Sequence, residues 1–438
     1  MLKVPRRGGG GGGMNLYKYP AKQERAAILK RPALDTLSLQ SKVRAVLEDV
    51  RLHGDAALKR YSELFDGLVL DEVSVSKEEI AEAASQLPDE LKKAIETAAK
   101  NIRTFHEKQL QQPEVIETMP GVVCWRKSVA IEKVGIYVPG GTAPLFSTVL
   151  MLAIPAAIAG CKQIVLCTPT QKNGKVHPAV LFAAELCGVT NIYKSGGAQA
   201  IAAMAYSTET VPQVYKIFGP GNQYVTCAKQ LVQLDGLAID MPAGPSEVCI
   251  LADDTANAAF VAADLLSQAE HGTDSQVLLV TTSEQLAAEV EKEIDIQLAL
   301  LPRKDIAAGA LKNSTVVVLQ TIDEAIDLVN EYAAEHLIIA CEDNEALAER
   351  VINAGSVFLG NYSPESAGDY ASGTNHTLPT NGFAKTYSGV SVDSFVKKIT
   401  YQKISQEGLL NIGKTVEILA EFEGLDAHKN AVSVRMGL

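Results

Sequence analysis

The segment Val134-Gly-Ile-Tyr-Val138, the apolar run over residues 148–161, and Ile164-Val-Leu-Cys-Thr168 together decide the fold of this chain. The two outer segments have the short, β-branched composition that is typical of buried strands. The run between them contains a proline and is too short to span a bilayer, so we expect it to lie in the hydrophobic core. This alternation predicts a parallel β-sheet with right-handed crossovers.

Strand-like and helical stretches continue to alternate along the rest of the chain. Ala-rich helical stretches, such as residues 178–187 and 199–206, separate the strands. The first series of strands continues with residues 191–194 and 214–218. A second series covers residues 248–252, 276–280, 315–319, 337–340 and 356–359. We therefore predict an α/β protein with two similar, Rossmann-like domains, each an incomplete doubly wound sheet.

Three further parts surround these two domains. Apolar positions recur at three and four residues between about Asp35 and Gln112, which predicts a helical N-terminal part that packs on the second α/β domain. The glycine-rich start resembles a tag or an upstream-start artefact. The predicted segments are a tag (1–13), an N-terminal helical part (14–132), a first α/β domain (133–236), a second α/β domain (237–395) and a helical C-terminal tail (396–438).

The composition indicates an ordinary globular protein. The chain has 438 residues, which suggests two or three domains, and 47% of them are hydrophobic. A net charge of −12 argues against nucleic-acid binding, because no basic stripe is present to neutralise phosphates. Seven cysteines without a C-x-x-C spacing favour a reducing cytoplasm and buried thiols. A cysteine nucleophile is the weaker alternative, since none has a basic neighbour to lower its pKa.

Four of the seven histidines lie in polar, carboxylate-rich phrases of the C-terminal half. They are His271, His336, His376 and His428. A structural histidine needs only one hydrogen-bond partner, whereas metal binding and proton transfer both use imidazoles beside carboxylates. The pattern predicts an enzyme with a metal site assembled from distant parts of the chain.

Two segments supply further candidate ligands. Gln268 and His271 are three residues apart at the end of a helix predicted over residues 256–269, so they share one face. The alternative for His271 is a favourable contact with the helix dipole. Asp369 is predicted to lie in a loop before the Ser372-Gly373 turn, free to point into a cleft. An amide oxygen, a carboxylate and imidazoles would leave positions open for substrate, as in catalytic zinc sites.

Three glycine turns follow strands of the first predicted domain. They are Pro139-Gly-Gly141, Ser195-Gly-Gly197-Ala-Gln199 and Gly219-Pro-Gly-Asn222. Ligands of open α/β sheets bind beyond the carboxyl ends of the strands, where backbone N–H groups can hold a phosphate. None of the three matches the G-x-G-x-x-G fingerprint. Together they favour a phosphate or dinucleotide site.

From about Leu37 to the C-terminus the sequence resembles the histidinol dehydrogenase family. The phrases that carry the resemblance are Val134-Gly-Ile-Tyr-Val-Pro-Gly-Gly-Thr-Ala-Pro-Leu-Phe-Ser-Thr-Val149, Gly219-Pro-Gly-Asn222, Asp240-Met-Pro-Ala-Gly-Pro-Ser-Glu247, Ser267-Gln-Ala-Glu-His-Gly272, Glu335-His336-Leu and Gly368-Asp-Tyr-Ala-Ser-Gly-Thr-Asn-His376. The resemblance implies a zinc enzyme, with one Zn2+ per subunit, that ends histidine biosynthesis. The implied reaction is the four-electron oxidation of L-histidinol, through L-histidinal, to L-histidine with two NAD+.

The same resemblance implies roles for individual residues in an intertwined homodimer. The implied metal ligands are Gln268, His271, Asp369 and His428, with His428 supplied by the partner subunit. The implied acid/base pair is Glu335 and His336, and the implied NAD contacts are Tyr137, Gln199 and Asn222. The implied substrate contacts are Ser246, His376 and Glu423, together with the metal ligands and the acid/base pair.

The chemistry of the acid/base pair agrees with that reaction. Neutral His336 suits removal of the alcohol proton, and Glu335, with its pKa raised by partial burial, suits activation of water for the second step. Adjacent residues do not normally face the same way, so we expect a turn at the entry to the strand over residues 337–340.

Three alternatives stay open. The first is a metal hydrolase, in which zinc and the Glu/His pair activate water. The second is a paralogue that oxidises another small hydroxylated compound, and the third is a non-catalytic binding protein with the same fold. The three glycine turns favour a dinucleotide-binding enzyme over the hydrolase. His376 and Glu423, which would contact an amino-imidazole substrate, argue against a paralogue with another substrate.

Overall fold

Two parallel β-sheets and one small antiparallel sheet organise the chain in the computed structural model, which describes residues 13–32, 36–140 and 144–437. The strands are β1 (Asn15–Lys18), β2 (Ile116–Met119), β3 (Val122–Ala130), β4 (Lys133–Tyr137), β5 (Gln163–Thr168), β6 (Asn191–Lys194), β7 (Lys216–Phe218), β8 (Ala238–Ile239), β9 (Glu247–Ala252), β10 (Gln276–Thr281), β11 (Thr315–Val318), β12 (Ala334–Ala340), β13 (Ala354–Leu359) and β14 (Val396–Ile404).

Helices cover both faces of the parallel sheets. They are α1 (Arg25–Ile28), α2 (Thr36–His53), α3 (Asp55–Asp66), α4 (Lys77–Ala83), α5 (Asp89–Glu107), α6 (Phe146–Ala159), α7 (Pro178–Leu186), α8 (Gly197–Tyr206), α9 (Gln223–Val232), α10 (Ala258–Ala269), α11 (Glu284–Leu298), α12 (Lys304–Leu311), α13 (Ile322–Tyr332), α14 (Asn344–Ala348), α15 (Glu365–Tyr370), α16 (Gln406–Phe422) and α17 (Asp426–Ser433). None of these helices is long and apolar enough to cross a membrane.

The first parallel sheet has the strand order β6-β5-β4-β7-β8. Its centre is the unit β4–α6–β5, in which α6 is the apolar run, buried along most of its length. Gly160 ends this helix in the left-handed conformation (φ +91°) that glycine adopts without strain. The predicted alternation of buried strands and helices in a parallel sheet is confirmed here.

The second parallel sheet has the strand order β1-β11-β10-β9-β12-β13. Its four central strands are buried along their whole length, as expected for a sheet covered on both faces. The edge strand β1 comes from the N-terminus and pairs with β11 some 300 residues later. Strand β1 was not predicted from the sequence, because four residues carry too little periodicity.

The N-terminal helices pack on the first sheet, not on the second. Leu39 and Val43 of α2 lie in one hydrophobic cluster with Ile201 of α8, and Ile95 of α5 lies in another cluster with Leu150 of α6. The prediction that residues 14–132 pack on the second domain is wrong for these helices. The segment over residues 73–75, which connects these helices, is hydrogen-bonded to the edge strand β6 of the first sheet. The Val75 N–H donates to the Ile192 carbonyl oxygen (2.9 Å), and this contact holds the helices against the first sheet.

An antiparallel sheet joins the two ends of the chain. Strand β14 pairs with all of β3, and β2 pairs on its other side. The C-terminal tail therefore begins with a strand, which corrects the prediction of a helical tail from residue 396. Beyond it, α16 carries exposed apolar side chains, among them Phe422 at 88% exposure and Leu419 at 60%.

Candidate active site

His336 lies near the start of β12, surrounded by three carboxylates. Its Nδ1 is 3.6 Å from Glu335 Oε2, and its Nε2 is 3.4 Å from Asp369 Oδ1 and 3.6 Å from Glu365 Oε1. The ring is buried, and Nε2 has no hydrogen-bond partner among the described residues. A buried, unpartnered ring nitrogen facing two carboxylates indicates a functional site, since such atoms are normally satisfied.

Glu335 and His336 converge because both bind the backbone of Glu247, the first residue of the neighbouring strand β9. The Glu247 N–H donates to Glu335 Oε2 (2.9 Å), and His336 Nδ1 lies 3.1 Å from the Glu247 carbonyl oxygen. The predicted turn is present, but it lies upstream, at Ala333 with φ +54°. Both residues therefore belong to the strand, whose predicted start at residue 337 is three residues late.

The ion pair between Arg31 and Glu247 lies next to Glu335 and His336. Arg31 donates two hydrogen bonds to the Glu247 carboxylate, from Nε to Oε2 (2.8 Å) and from Nη2 to Oε1 (2.9 Å). Glu247 Oε1 also accepts from the Glu335 N–H (3.2 Å), and the Arg31 guanidinium lies 4.0 Å above the Tyr332 ring. Sequence reasoning missed both residues. Glu247 closes one of the resemblance phrases, but nothing in the sequence points to Arg31.

Glu365 and Asp369 lie one turn apart on α15 and present both carboxylates to His336. The predicted loop around Asp369 is therefore wrong. A short helix begins there after Pro364, whose fixed φ suits a helix N-terminus. Glu365 is fully buried and was missed by sequence reasoning. Its four-residue spacing from Asp369 is the signal that could have found it.

Gln268 lies in the last turn of α10, against Glu365, whereas His271 follows the helix terminus. With its amide nitrogen turned toward Glu365, Gln268 donates to Oε1 at 2.9 Å and to Oε2 at 3.2 Å. Burial lowers the pKa of His271, and the nearby Asp369 raises it. The structure thus brings Gln268, His271 and Asp369 to one place, beside His336.

The carboxylates of this cluster dominate its electrostatics. Burial raises the pKa of Glu335 to about 8. Burial lowers the pKa of His336, but Glu335, Glu365 and Asp369 outweigh it and raise the pKa to about 10. Burial also raises the pKa of Glu365, whereas His336 and Glu365 hold the pKa of Asp369 below its ordinary value despite burial. The cluster holds more carboxylates than cations, which favours a bound positive charge.

His376 and Ser246 border the cluster. His376 Nδ1 is 2.8 Å from the Asp369 carbonyl oxygen, and its Nε2 is 3.2 Å from Thr148 Oγ1 on α6. This histidine therefore links the first sheet's central helix to the carboxylate helix α15. Ser246 directly precedes Glu247, and its carbonyl oxygen accepts from the Gln276 N–H at 3.3 Å.

Tyr137, Gln199 and Asn222 lie at the carboxyl edge of the first sheet. Tyr137 ends β4, and its hydroxyl accepts from the Gly197 N–H (3.0 Å) at the start of α8, the helix that carries Gln199. Asn222 caps α9 by accepting from the N–H groups of residues 224 and 225, both at 3.0 Å. A cavity of about 550 Å3 opens beside Asn222. Gly141 of the first predicted glycine turn lies outside the described residues.

The third glycine turn is held by a buried ion pair. Lys229 Nζ lies 2.5 Å from Asp240 Oδ1 and donates to the Gly219 carbonyl oxygen (2.7 Å). Asp240 Oδ2 accepts from the Gly219 N–H (2.9 Å). Gly219 has φ +129°, and a Cβ there would meet the Tyr137 carbonyl oxygen at 2.2 Å. Only glycine fits this position, so the turn is fixed from both sides.

Glu423 and His428 lie apart from the cluster within one chain. Glu423 ends α16, His428 lies on α17, and both are exposed. Neither side chain makes a hydrogen bond or ion pair with any residue in 13–32, 36–140 or 144–437, apart from interactions within its own helical segment. A single chain therefore does not bring these two predicted residues to the others.

Comparison with known proteins identifies the family. The sequence model of histidinol dehydrogenase matches residues 29–436. A histidinol dehydrogenase of Bacteroides thetaiotaomicron is 62% identical over 423 residues, which cover 97% of this chain and 99% of the relative. The chain belongs to the histidinol dehydrogenase family. The family relative from Mannheimia succiniciproducens is 51% identical and covers 96% of this chain and 98% of its own.

The fold agrees with this membership. The crystal structure of histidinol dehydrogenase from Elizabethkingia anophelis matches with a TM-score of 0.96 at 54% identity, covering 98% of this chain and 99% of that one. The resemblance noted in the sequence is confirmed, and with it the prediction of an oxidoreductase.

The residues of the cluster fit a zinc ion. His336, Glu365 and Asp369 place possible ligand atoms within 4.8 Å of one another, and Gln268 and His271 adjoin them. Imidazole nitrogen and carboxylate oxygen are the donors of catalytic zinc sites. Buried carboxylates in excess of cations also favour a dication. The sequence analysis named four of these five residues and did not predict that Glu365 lies among them.

Proposed function

We propose that this chain is an NAD-dependent zinc enzyme that oxidises L-histidinol through L-histidinal to L-histidine, using two NAD+, in the last step of histidine biosynthesis. The observation that carries the proposal is the buried pair Glu335 and His336 beside Gln268, His271 and Asp369. All five lie in phrases shared with the family, and each has a chemical group that the reaction needs.

Gln268, His271 and Asp369 hold the zinc, and His428 of the partner subunit completes the ligand set. Two observations support a shared site. His428 and Glu423 are exposed and apart from their own cluster, and α16 carries exposed apolar residues that a partner would cover. When bound, zinc orients the amino and imidazole nitrogens of the substrate and favours the neutral form of His336 by its charge.

His336 removes the hydroxyl proton in the first oxidation while hydride leaves for the nicotinamide. Its Nδ1–H donates to the Glu247 carbonyl oxygen (3.1 Å), so Nε2 is the atom with a free lone pair. Nε2 faces the carboxylates of Asp369 (3.4 Å) and Glu365 (3.6 Å) and makes no hydrogen bond with the described residues. The hydrogen bond therefore selects the tautomer that can act as a base.

Glu335 activates the water that hydrates the aldehyde before the second oxidation. Its Oε2 accepts from the Glu247 N–H, so Oε1, which makes no hydrogen bond with the residues that the structure describes, can take the proton. Burial raises the pKa of this carboxyl to about 8, close to the operating pH where a general base works best.

The other predicted residues position the two organic molecules. Tyr137, Gln199 and Asn222 hold NAD at the carboxyl edge of the first sheet, where ligands of such sheets bind. Ser246 and His376 contact the substrate from the rim of the cluster. Glu423 of the partner subunit binds the ammonium group of the substrate.

The test is the number of NADH formed per L-histidinol consumed, on metal-stripped protein with and without added zinc. Two NADH, formed only with zinc, support both oxidations and the metal site. One NADH would contradict the role of Glu335 in the second step. No NADH from zinc-loaded protein would overturn L-histidinol as the substrate.

A further inference from the structure

Glu365 is a buried carboxylate to which neither the family phrases nor the proposed reaction assigns a role. It is 1% exposed, and it lies on α15 one turn before Asp369. Burying a carboxylate is costly unless its charge or hydrogen bonds are used. Its polar neighbours include the Gln268 amide (2.9 and 3.2 Å), Ser267 Oγ (3.4 Å), His336 Nε2 (3.6 Å) and the Asp369 carboxylate, which lies within 4.8 Å.

The contact with Gln268 has a directional consequence. An amide group can turn either its oxygen or its nitrogen toward a neighbour, and only the oxygen can bind a metal ion. Both oxygens of Glu365 lie within hydrogen-bond distance of the same amide atom of Gln268 (2.9 and 3.2 Å), an arrangement in which that atom is the donating nitrogen. Glu365 therefore attracts the amide nitrogen of Gln268 with both of its oxygens and leaves the amide oxygen to face away.

We propose that Glu365 is a positioning residue, which locks the Gln268 amide in the orientation that presents its oxygen to the zinc. This inference rests on the proposed function, because it assumes that Gln268 is a zinc ligand. In this proposal Glu365 acts through Gln268 and is not itself counted among the zinc ligands. It acts as the hydrogen-bonded partner that fixes a ligand, a kind of contact whose loss typically costs about 10- to 100-fold in metal affinity.

The direct test substitutes Glu365→Gln, which preserves the size of the side chain. The new amide can donate as well as accept, so the Gln268 amide becomes free to adopt the wrong orientation. We expect the zinc dissociation constant, measured by competition with a chromophoric chelator, to rise by about 10- to 100-fold. The absorption spectrum of the Co2+-substituted protein should also change, because a ligand is lost from part of the molecules.

A swapped pair separates positioning from a merely structural role. In Q268E/E365Q the same two groups exchange places, so an amide again donates to a carboxylate, and a carboxylate oxygen faces the zinc. We expect this double variant to recover most of the zinc affinity that E365Q loses. The cycle of both single variants and the double variant measures the coupling.

Asp240→Asn is the matched control. It also removes a buried carboxylate from an ion pair, but in the first sheet, away from the cluster. Its zinc affinity should equal that of the unmodified protein. Zinc affinity of E365Q within twofold of the unmodified protein would overturn the positioning role, and so would failure of the swapped pair to recover. If the unmodified protein itself bound no zinc, the proposed function would fail instead.

Discussion

The two halves of the site lie at opposite edges of their sheets. In the first sheet, Tyr137 and Asn222 follow the strands at the carboxyl edge, as ligand-binding residues of open α/β sheets normally do. In the second sheet, Glu247 and the Glu335–His336 pair lie where their strands begin. The proposed nucleotide half is built from backbone turns and a helix N-terminus, whereas the proposed catalytic half is built from buried charged side chains. Different substitutions should therefore damage each half.

Removal of the proposed base should have the largest effect. His336→Asn removes the free Nε2 but no proposed zinc ligand, so kcat for L-histidinol should fall by about 10²- to 10⁴-fold, the usual contribution of a general base. Steady-state NADH formation measures kcat, and metal analysis serves as the control, since the zinc content should not change. A decrease below tenfold would show that another group takes the proton.

Loss of Arg31 should destabilise the protein strongly, because it leaves the buried Glu247 carboxylate without its positively charged partner. Arg31→Met leaves the Glu247 carboxylate without its two hydrogen bonds, which should cost about 3–5 kcal/mol in the free energy of unfolding. Urea unfolding at a fixed protein concentration measures it. The double variant R31M/E247Q also removes the unpaired carboxylate charge, so it should recover part of the lost free energy of unfolding. Equal destabilisation of the single and double variants would contradict this explanation.

A substitution in the first sheet should affect the cofactor alone. Asp240→Asn leaves Lys229 buried without its carboxylate and loosens the Gly219 turn that leads to Asn222. An unmatched buried polar group costs about 1–3 kcal/mol, so the KM for NAD+ should rise by about tenfold. Initial rates at saturating L-histidinol measure it. An unchanged KM for NAD+ would show that the turn does not position the cofactor.

The smallest expected effect is a pH-dependent one on α10, the helix that carries Gln268. Burial raises the pKa of Asp264 to about 7, well above the unfolded value, so the folded protein holds this proton more tightly. Stability from this group is present at low pH and is lost as the pH rises from 3.8 through about 7. Asp264→Asn should therefore raise Tm more at pH 8 than at pH 5, at about 1 °C per kcal/mol for a chain of 438 residues. An equal shift at both pH values would contradict this assignment.

The same contrast explains what the sequence could predict. Strands such as β5 and β9 were found because buried strands are continuous apolar runs, and the turns near Gln199 and Asn222 were found because glycine marks them. The approach of Glu365 to Gln268 and of Arg31 to Glu247 joins residues 97 and 216 positions apart. No local pattern encodes such contacts. The proposed catalytic half was predicted from phrases shared with the family, and its supporting residues became visible only in three dimensions.

Strand β1 imposes an order on synthesis. Asn15 pairs with Thr315, so β1 leaves the ribosome before its partner and must wait until 300 further residues are made. At about 5–20 residues per second, this wait lasts roughly 15–60 s. Arg31 waits in the same way for Glu247. During this interval β1 has no native partner for its backbone hydrogen bonds, and the proposed catalytic pair Glu335 and His336, which follows β11 in the chain, is made later still.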